Sequence, residues 1–385
     1  MNPIYEQIGE SIFARMSRLA VKHRAVNLGQ GFPDFGWPDA IRDAAAKAVK
    51  EKSNQYAPAP GLLELRRAVA GHYNRHFGQG FEAPNICVTS GATEALACSI
   101  LATVTPGDEV IIFTPAYDSY APMIRRAGGT PVEVALHPPE WRIEEKALAA
   151  AITSKTRAIL FNNPQNPTAR LFEAQELQVI SDAAIEHDLV VIADEVWEHV
   201  LMNGQRFTPI AAVPGMVERT LKIGSAGKIF SLTGWKIGWI AAASELAALV
   251  TKAHQFLTFS SAPNLQWAVA YGMAEGDPWI EPMQERFARA RNRMVEALNA
   301  AGFVSLRAAS TYFLCVDLKA SGIPMDDLSF ADRAVEKAGV AVIPLSVFYE
   351  QNAPRHLVRL CFGKCDETID AGVAAMAKAR DLFTG

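Results

Sequence analysis

Leu189-Val190-Val191-Ile192-Ala193-Asp194-Glu195 runs through five apolar residues and closes on two carboxylates. No polar side chain interrupts Leu189–Ala193. A strand here is therefore buried on both faces, as in a parallel sheet, because a strand with one wet face would alternate. Six further short runs are mostly apolar and β-rich: Ile86–Thr89, Val110–Phe113, Pro131–Ala135, Ala158–Phe161, Leu221–Gly224 and Ile237–Ala242. Helical stretches at Ala92–Leu101, Ser119–Ala127 and Ala174–Glu186 separate several of them. Strands alternating with helices predict an α/β fold around a mostly parallel, seven-stranded sheet covered on both faces.

Outside that core the pattern changes. Ile8, Ile12, Phe13, Met16 and Leu19 recur at helical spacing, which predicts a packed first helix. Pro38–Lys50 and Leu62–Arg75 read as helices on either side of the turn Tyr56-Ala57-Pro58-Ala59-Pro60-Gly61. Pro278–Ala301 reads as one long helix stopped by Gly302. Beyond it, Phe303–Leu306, Phe313–Leu318, Val340–Ile343 and Leu357–Cys361 suggest short strands of an α+β unit. The chain of 385 residues thus divides into a large α/β domain over 48–280 and a small domain built from both ends, 1–47 and 281–385.

Composition narrows the function. Half the residues are hydrophobic and 20% are charged, which excludes disorder. With 37 basic against 41 acidic residues, net charge −4, there is no basic excess for a nucleic-acid backbone. Five cysteines without regular spacing make no disulfide framework, and Cys361 and Cys365 lack partners for zinc, so no metal is expected. No apolar run approaches the roughly 20 residues of a membrane helix, and Asn2–Glu10 lacks the apolar core of a signal peptide. The expectation is a cytoplasmic protein.

The chemistry should sit at the carboxyl ends of the strands. Neither GxGxxG nor GxxxxGK[ST] occurs, which removes the simplest arguments for a nicotinamide enzyme or a P-loop NTPase. Ser90-Gly91-Ala92-Thr93-Glu94 follows a strand and opens a helix, where backbone N–H groups and the helix dipole can hold a phosphate. Asp194 ends an apolar strand and needs a cationic or hydrogen-bonding partner. Lys228 lies in Gly224-Ser225-Ala226-Gly227-Lys228, among small residues that let a planar ligand approach, and Lys236 follows eight residues on. Singly, these are an ordinary helix cap, a loop carboxylate and a turn lysine. Together with the loop Asn163-Pro164-Gln165-Asn166-Pro167 and a late arginine, they are the set that a pyridine aldehyde phosphate requires.

These residues give the chain a resemblance to the fold type I, pyridoxal-phosphate-dependent class I aminotransferases, nearest the methionine and kynurenine (glutamine transaminase K-like) branch. The resemblance runs from Asn27-Leu28-Gly29-Gln30-Gly31-Phe32-Pro33-Asp34-Phe35 to Arg359-Leu360-Cys361-Phe362. It includes Asn54-Gln55-Tyr56, Pro115-Ala116-Tyr117-Asp118-Ser119-Tyr120 and Ile343-Pro344-Leu345-Ser346-Val347-Phe348. It implies pyridoxal 5'-phosphate as cofactor, with Lys228 forming the aldimine and shuttling the proton. Asp194 is implied at the ring nitrogen, Asn166 at the ring oxygen and Tyr117 stacked on the ring. Gly91, Ala92, Thr93, Ser225 and Lys236 are implied around the phosphate. Tyr56 is implied to reach the phosphate of a neighbouring subunit, making a homodimer. Arg359 and Gly31 are implied at the substrate carboxylate, with Phe13, Phe32 and Phe259 lining the side-chain pocket.

Two positions depart from that pattern. Trp197 stands where the family usually has a tyrosine whose hydroxyl touches the ring oxygen, so either the aldimine acidity is set differently, which we expect, or Trp197 packs aside. Ala169 replaces a usual glycine, as in methionine-aminotransferase-like members. No second arginine motif for a dicarboxylate is readable, so the expected reaction moves the amino group of methionine, glutamine or aromatic amino acids to a 2-oxo acid by a ping-pong mechanism. The alternative with the same cofactor is a β-lyase cleaving C–S bonds in cystathionine or cysteine conjugates. A DNA-binding regulator with an aminotransferase-like domain is disfavoured by the net charge of −4.

Overall fold

The computed structural model describes residues 3–6, 8–35, 38–274 and 276–384; Asn2 of the signal-peptide reading lies outside them. The seven apolar runs form one sheet. Its strands lie in the order Ile86–Thr89, Gly238–Ala241, Thr220–Ser225, Val190–Asp194, Thr156–Asn162, Glu109–Thr114, Thr130–Ala135. Gly238–Ala241 runs antiparallel to both neighbours and every other pairing is parallel. Ile159, Leu160, Val191, Ile192, Leu221 and Ile223 are each fully buried, as uninterrupted apolar strands require. The parallel strands end together, so Asn162 pairs with Asp194 and Asp194 with Ile223 at one edge.

A second, four-stranded antiparallel sheet takes Ile343–Pro344, Leu357–Cys361, Phe313–Asp317 and Val304–Ser305 in that order. The run Val340–Ile343, expected as one strand, divides. Val340–Ala341 pairs in parallel with Val26–Asn27, while Ile343–Pro344 joins the antiparallel sheet. A single apolar run can serve two sheets because the periodicity reports burial, which is near-complete throughout, and not the partner. Helix Ile12–His23 carries Phe13, Met16 and Leu19, but Ile8 lies outside it and is 48% exposed. Ser11 caps this helix by accepting from Ala14 N–H.

The boundary expected at residue 48 falls inside the helix Asp39–Glu51. Its Ile41 and Ala45 join the apolar cluster of Leu65, Val69, Ala268 and Trp239, which covers the edge of the large sheet. The long helix spans Ile280–Ala300, followed by Gly302 at φ +82°, where a side chain would be strained. No helix among the described residues is long and apolar enough to cross a membrane. All five cysteines are unpaired.

Candidate active site

A cavity of about 220 Å³ opens at the carboxyl edge of the large sheet. Lys228 reaches it from the short helix Ala226–Ile229, directly after the strand Thr220–Ser225. Burial pushes the Lys228 amine down to about 8, against the pull of Asp194 in the other direction. About a tenth of the amine is then neutral at pH 7, far more than for an ordinary lysine, and the neutral form is the nucleophile. Asp194 faces the same cavity. Burial raises its pKa, opposed by the Tyr120 hydroxyl donating at 2.6 Å, the Val196 N–H and Lys228. Asn162 Nδ2 donates to the Asp194 carbonyl at 2.7 Å and Asn162 Oδ1 accepts the Asn166 N–H at 2.7 Å, so strand end and loop are tied together.

The opposite wall is a cradle of backbone. Gly91 stands at φ +79° at the start of helix Ala92–Thr103. A Cβ on Gly238 would lie 2.6 Å from Gly91 C and 2.7 Å from Ala92 N, so only glycine lets the two backbones come this close. Ala92 and Thr93 line the cavity with Ser225 and Lys236. Lys236 Nζ is 3.4 Å from Thr93 Oγ1. A helix start, a hydroxyl and an ammonium around one space make an anion site.

Tyr117 and Trp197 complete the walls. Trp197 does not pack aside. Lys228 Nζ lies 4.3 Å over its ring, and the ring meets Tyr312 edge-on at 4.6 Å. Arg359, in the strand Leu357–Cys361, is 1% exposed. Its Nη1 donates to Asn166 Oδ1 at 2.8 Å and its Nη2 to the Gly29 carbonyl at 2.9 Å, while Nε has no partner. With Asn166 Oδ1 thus engaged, the amide NH₂ is the group left to donate. Burial lowers the Arg359 pKa to about 10, leaving it charged at neutral pH. A buried cation with an unpaired donor fits a carboxylate ligand.

Arg359 and the remaining expected residues lie outside the cavity lining. Phe13 packs 5.2 Å from the Arg359 guanidinium and 6.0 Å from Phe348. Gly31 presses on Phe313, where a Cβ would meet the ring at 2.7 Å. Phe32 is 41% exposed; Tyr56, 84% exposed, meets Phe259 edge-on at 5.5 Å. Two residues have no role in the sequence reading: Tyr120, which lines the cavity, and Tyr312, whose hydroxyl meets Lys228. Tyr120 stood in a quoted motif without a function, and Tyr312 carried no signal at all, since both act by contacts that tertiary packing creates.

The aminotransferase class I and II family model matches residues 23–376. A probable N-succinyldiaminopimelate aminotransferase of Mycobacterium tuberculosis is 40% identical over 379 residues, covering 95% of each chain. The methionine aminotransferase of Escherichia coli is 39% identical, covering 98% of this chain and 97% of its own. Its solved structure superimposes with a TM-score of 0.93 at 38% identity, covering 97% and 98% of the two chains. The kynurenine–oxoglutarate transaminase of Dictyostelium discoideum is 35% identical, covering 94% of this chain and 92% of its own. A lysine beside a buried carboxylate and an anion cradle is the equipment of that family's cofactor, and the residues present fit it. The chain belongs to the class I and II aminotransferases, enzymes of fold type I that depend on pyridoxal phosphate to move an amino group between an amino acid and a 2-oxo acid.

Proposed function

We propose that this aminotransferase takes methionine, glutamine or aromatic amino acids as amino donors and works by a ping-pong cycle through Lys228. The observation that carries the reading is the desolvated Lys228 amine in the cavity, beside an Arg359 that donates to the cavity residue Asn166 and whose Nε is buried and unpartnered. When bound, pyridoxal phosphate supplies an aldehyde carbon to carry the amino group and a ring that accepts electrons. Lys228, as the neutral amine, would hold the aldehyde carbon and would carry the proton removed from the substrate Cα. Asp194, held by Tyr120, would keep a proton on the ring nitrogen, and Asn166 would donate to the ring oxygen. Tyr117 would stack on the ring, and Gly91, Ala92, Thr93, Ser225 and Lys236 would bind the phosphate.

Arg359 takes the substrate α-carboxylate. Phe13, Phe313 and Phe348 crowd the Arg359 guanidinium. That supports an apolar side chain over an acidic one. The relatives named for methionine and kynurenine point the same way. Tyr56 and Phe259, exposed side by side, suit a site completed by a second copy in a homodimer. The cysteines, all unpaired, suit a cytoplasmic protein. The domain division at 48 and 280 belongs to the same reading.

The test is the near-visible spectrum of the holoenzyme with methionine, followed by a 2-oxo acid. The cofactor band should disappear with methionine and return with the 2-oxo acid, and aspartate should act more slowly. Aspartate turning over faster than methionine would defeat the substrate reading. Pyruvate released from a cysteine conjugate without a 2-oxo acid would replace it by β-elimination.

A further inference from the structure

Helix Leu63–Phe77 carries His72 and His76 four residues apart, hence on one face. Asp277 comes to that face from the turn between helices Pro263–Ala274 and Ile280–Ala300, at φ +61° behind Gly276 at +78°. Its carboxylate Oδ2 lies 3.1 Å from His72 Nδ1 and 2.9 Å from His76 Nε2. One ligand atom of each residue lies within 4.8 Å of the others. His72 is fully buried and Asp277 is 5% exposed. Despite this company, His72 Nδ1 makes no well-aligned hydrogen bond, its 3.1 Å approach to Oδ2 notwithstanding, and Asp277 Oδ1 has no hydrogen-bond partner. Two buried polar atoms on adjacent side chains, both lone-pair donors when deprotonated, are costly unless something takes those lone pairs.

We propose that His72, His76 and Asp277 form a binding site for a borderline divalent transition metal, zinc first, separate from the catalytic cavity. Two imidazoles and a carboxylate are a zinc donor set. Bonds of about 2.0–2.1 Å in a tetrahedral site put ligand atoms about 3.3 Å apart, so the two carboxylate–imidazole separations need open by only a few tenths of an ångström. The surroundings already orient the ligands. His72 Nε2 is 2.8 Å from His199 Nε2, a separation at which one ring nitrogen donates to the other. His72 can then donate from Nε2 to His199 and present a bare Nδ1 to the metal, as ligating histidines do. Arg75 Nη2 donates to Asp277 Oδ2 at 2.9 Å and fixes the carboxylate plane.

The His76 side chain is 32% exposed and that of Arg75 44%, so the site has an entry path and room for a water as fourth ligand. The adjoining carboxylates are already taken: Glu195 and Glu198 both pair with the buried Lys222. Another cluster, Glu94, Cys98 and His254, is less open to a metal because Glu94 accepts from Ser90, His254 and Thr258. A metal here would staple the helix Leu63–Phe77 to the turn that starts the long helix.

The experiment uses the full-length holoenzyme treated with a chelator, dialysed, and titrated with zinc and, separately, cobalt(II). The expected result is one zinc per chain, a melting temperature raised by about 3 °C or more at saturating zinc, and visible d–d absorption of tetrahedral cobalt. His76→Ala, at a partly exposed position, should fold and lose at least tenfold in zinc affinity; Asp277→Asn should do likewise. Zinc affinity unchanged in His76→Ala overturns the proposal and places any bound metal elsewhere. Absence of both a stoichiometric zinc and the cobalt bands in the unmodified enzyme overturns it without reference to any variant.

Discussion

The Lys228 amine lies 3.0 Å from the hydroxyl of Tyr312, and that hydroxyl donates in turn to the carbonyl of Gly31 at 2.7 Å. Lys228 follows a strand of the large sheet, Tyr312 precedes a strand of the small one, and Gly31 lies in the loop between the first helix and Asp39–Glu51. One phenol thus links three separate segments at the reacting nitrogen. Tyr312→Phe removes a hydrogen bond to a charged group and leaves the Gly31 carbonyl without its donor. Steady-state kinetics with methionine should show kcat lower by about tenfold, with a modest loss of melting temperature. An unchanged kcat would make Tyr312 a packing residue only.

Trp197 holds the same amine by its ring face. A cation 4.3 Å over an indole is attracted by about 0.5–2 kcal/mol, more than over a phenol. Trp197→Tyr should therefore favour the neutral amine and shift the pH midpoint of the near-visible cofactor band. A titration in which the midpoint stays put removes Trp197 from the tuning of Lys228.

The depressed pKa of Lys228, about 8, also makes a prediction for the protein freed of cofactor. Uptake of pyridoxal phosphate needs the neutral amine, so its rate should rise about tenfold per unit below pH 8 and level off above it. The sign for stability is the same. The unfolded chain keeps the lysine proton to about 10.5 and the folded one releases it near 8, so this group's cost to folding is relieved as pH rises through that window. Stopped-flow uptake between pH 6 and 10 is the check; a rate flat across pH 8 contradicts the assignment.

Arg359 is a test of geometry against charge. Lysine keeps the charge but has no planar fork, and Asn166 Oδ1 and the Gly29 carbonyl are now each met by one guanidinium nitrogen. Arg359→Lys should raise the KM for methionine by about 10- to 100-fold, with a smaller fall in kcat. A KM within twofold of the original would place the carboxylate elsewhere.

The large sheet was legible in the chain because burial on both faces leaves a mark of its own, an apolar run with little alternation; all seven runs became its strands, with Lys222 and Glu133 the charged interruptions and the edge strand Thr130–Ala135 only partly buried. Asp194 was legible because it directly follows a run, and Lys228 because it comes four residues after one, where the strand direction fixes the edge of the sheet. Local periodicity could not assign Val340–Ala341 and Ile343–Pro344 to different sheets, since partner choice is a long-range matter that burial does not record. It could not find Tyr120 or Tyr312 either. A buried tyrosine looks like any core aromatic until the fold brings Asp194 to the first and Lys228 to the second. The same holds for His72, His76 and Asp277, which only the packing of one helix against a distant turn brings into reach. Sequence determined which residues lie at strand ends. Tertiary structure alone decided which of their neighbours share a hydrogen bond, because those distances are set by packing between segments far apart in the chain.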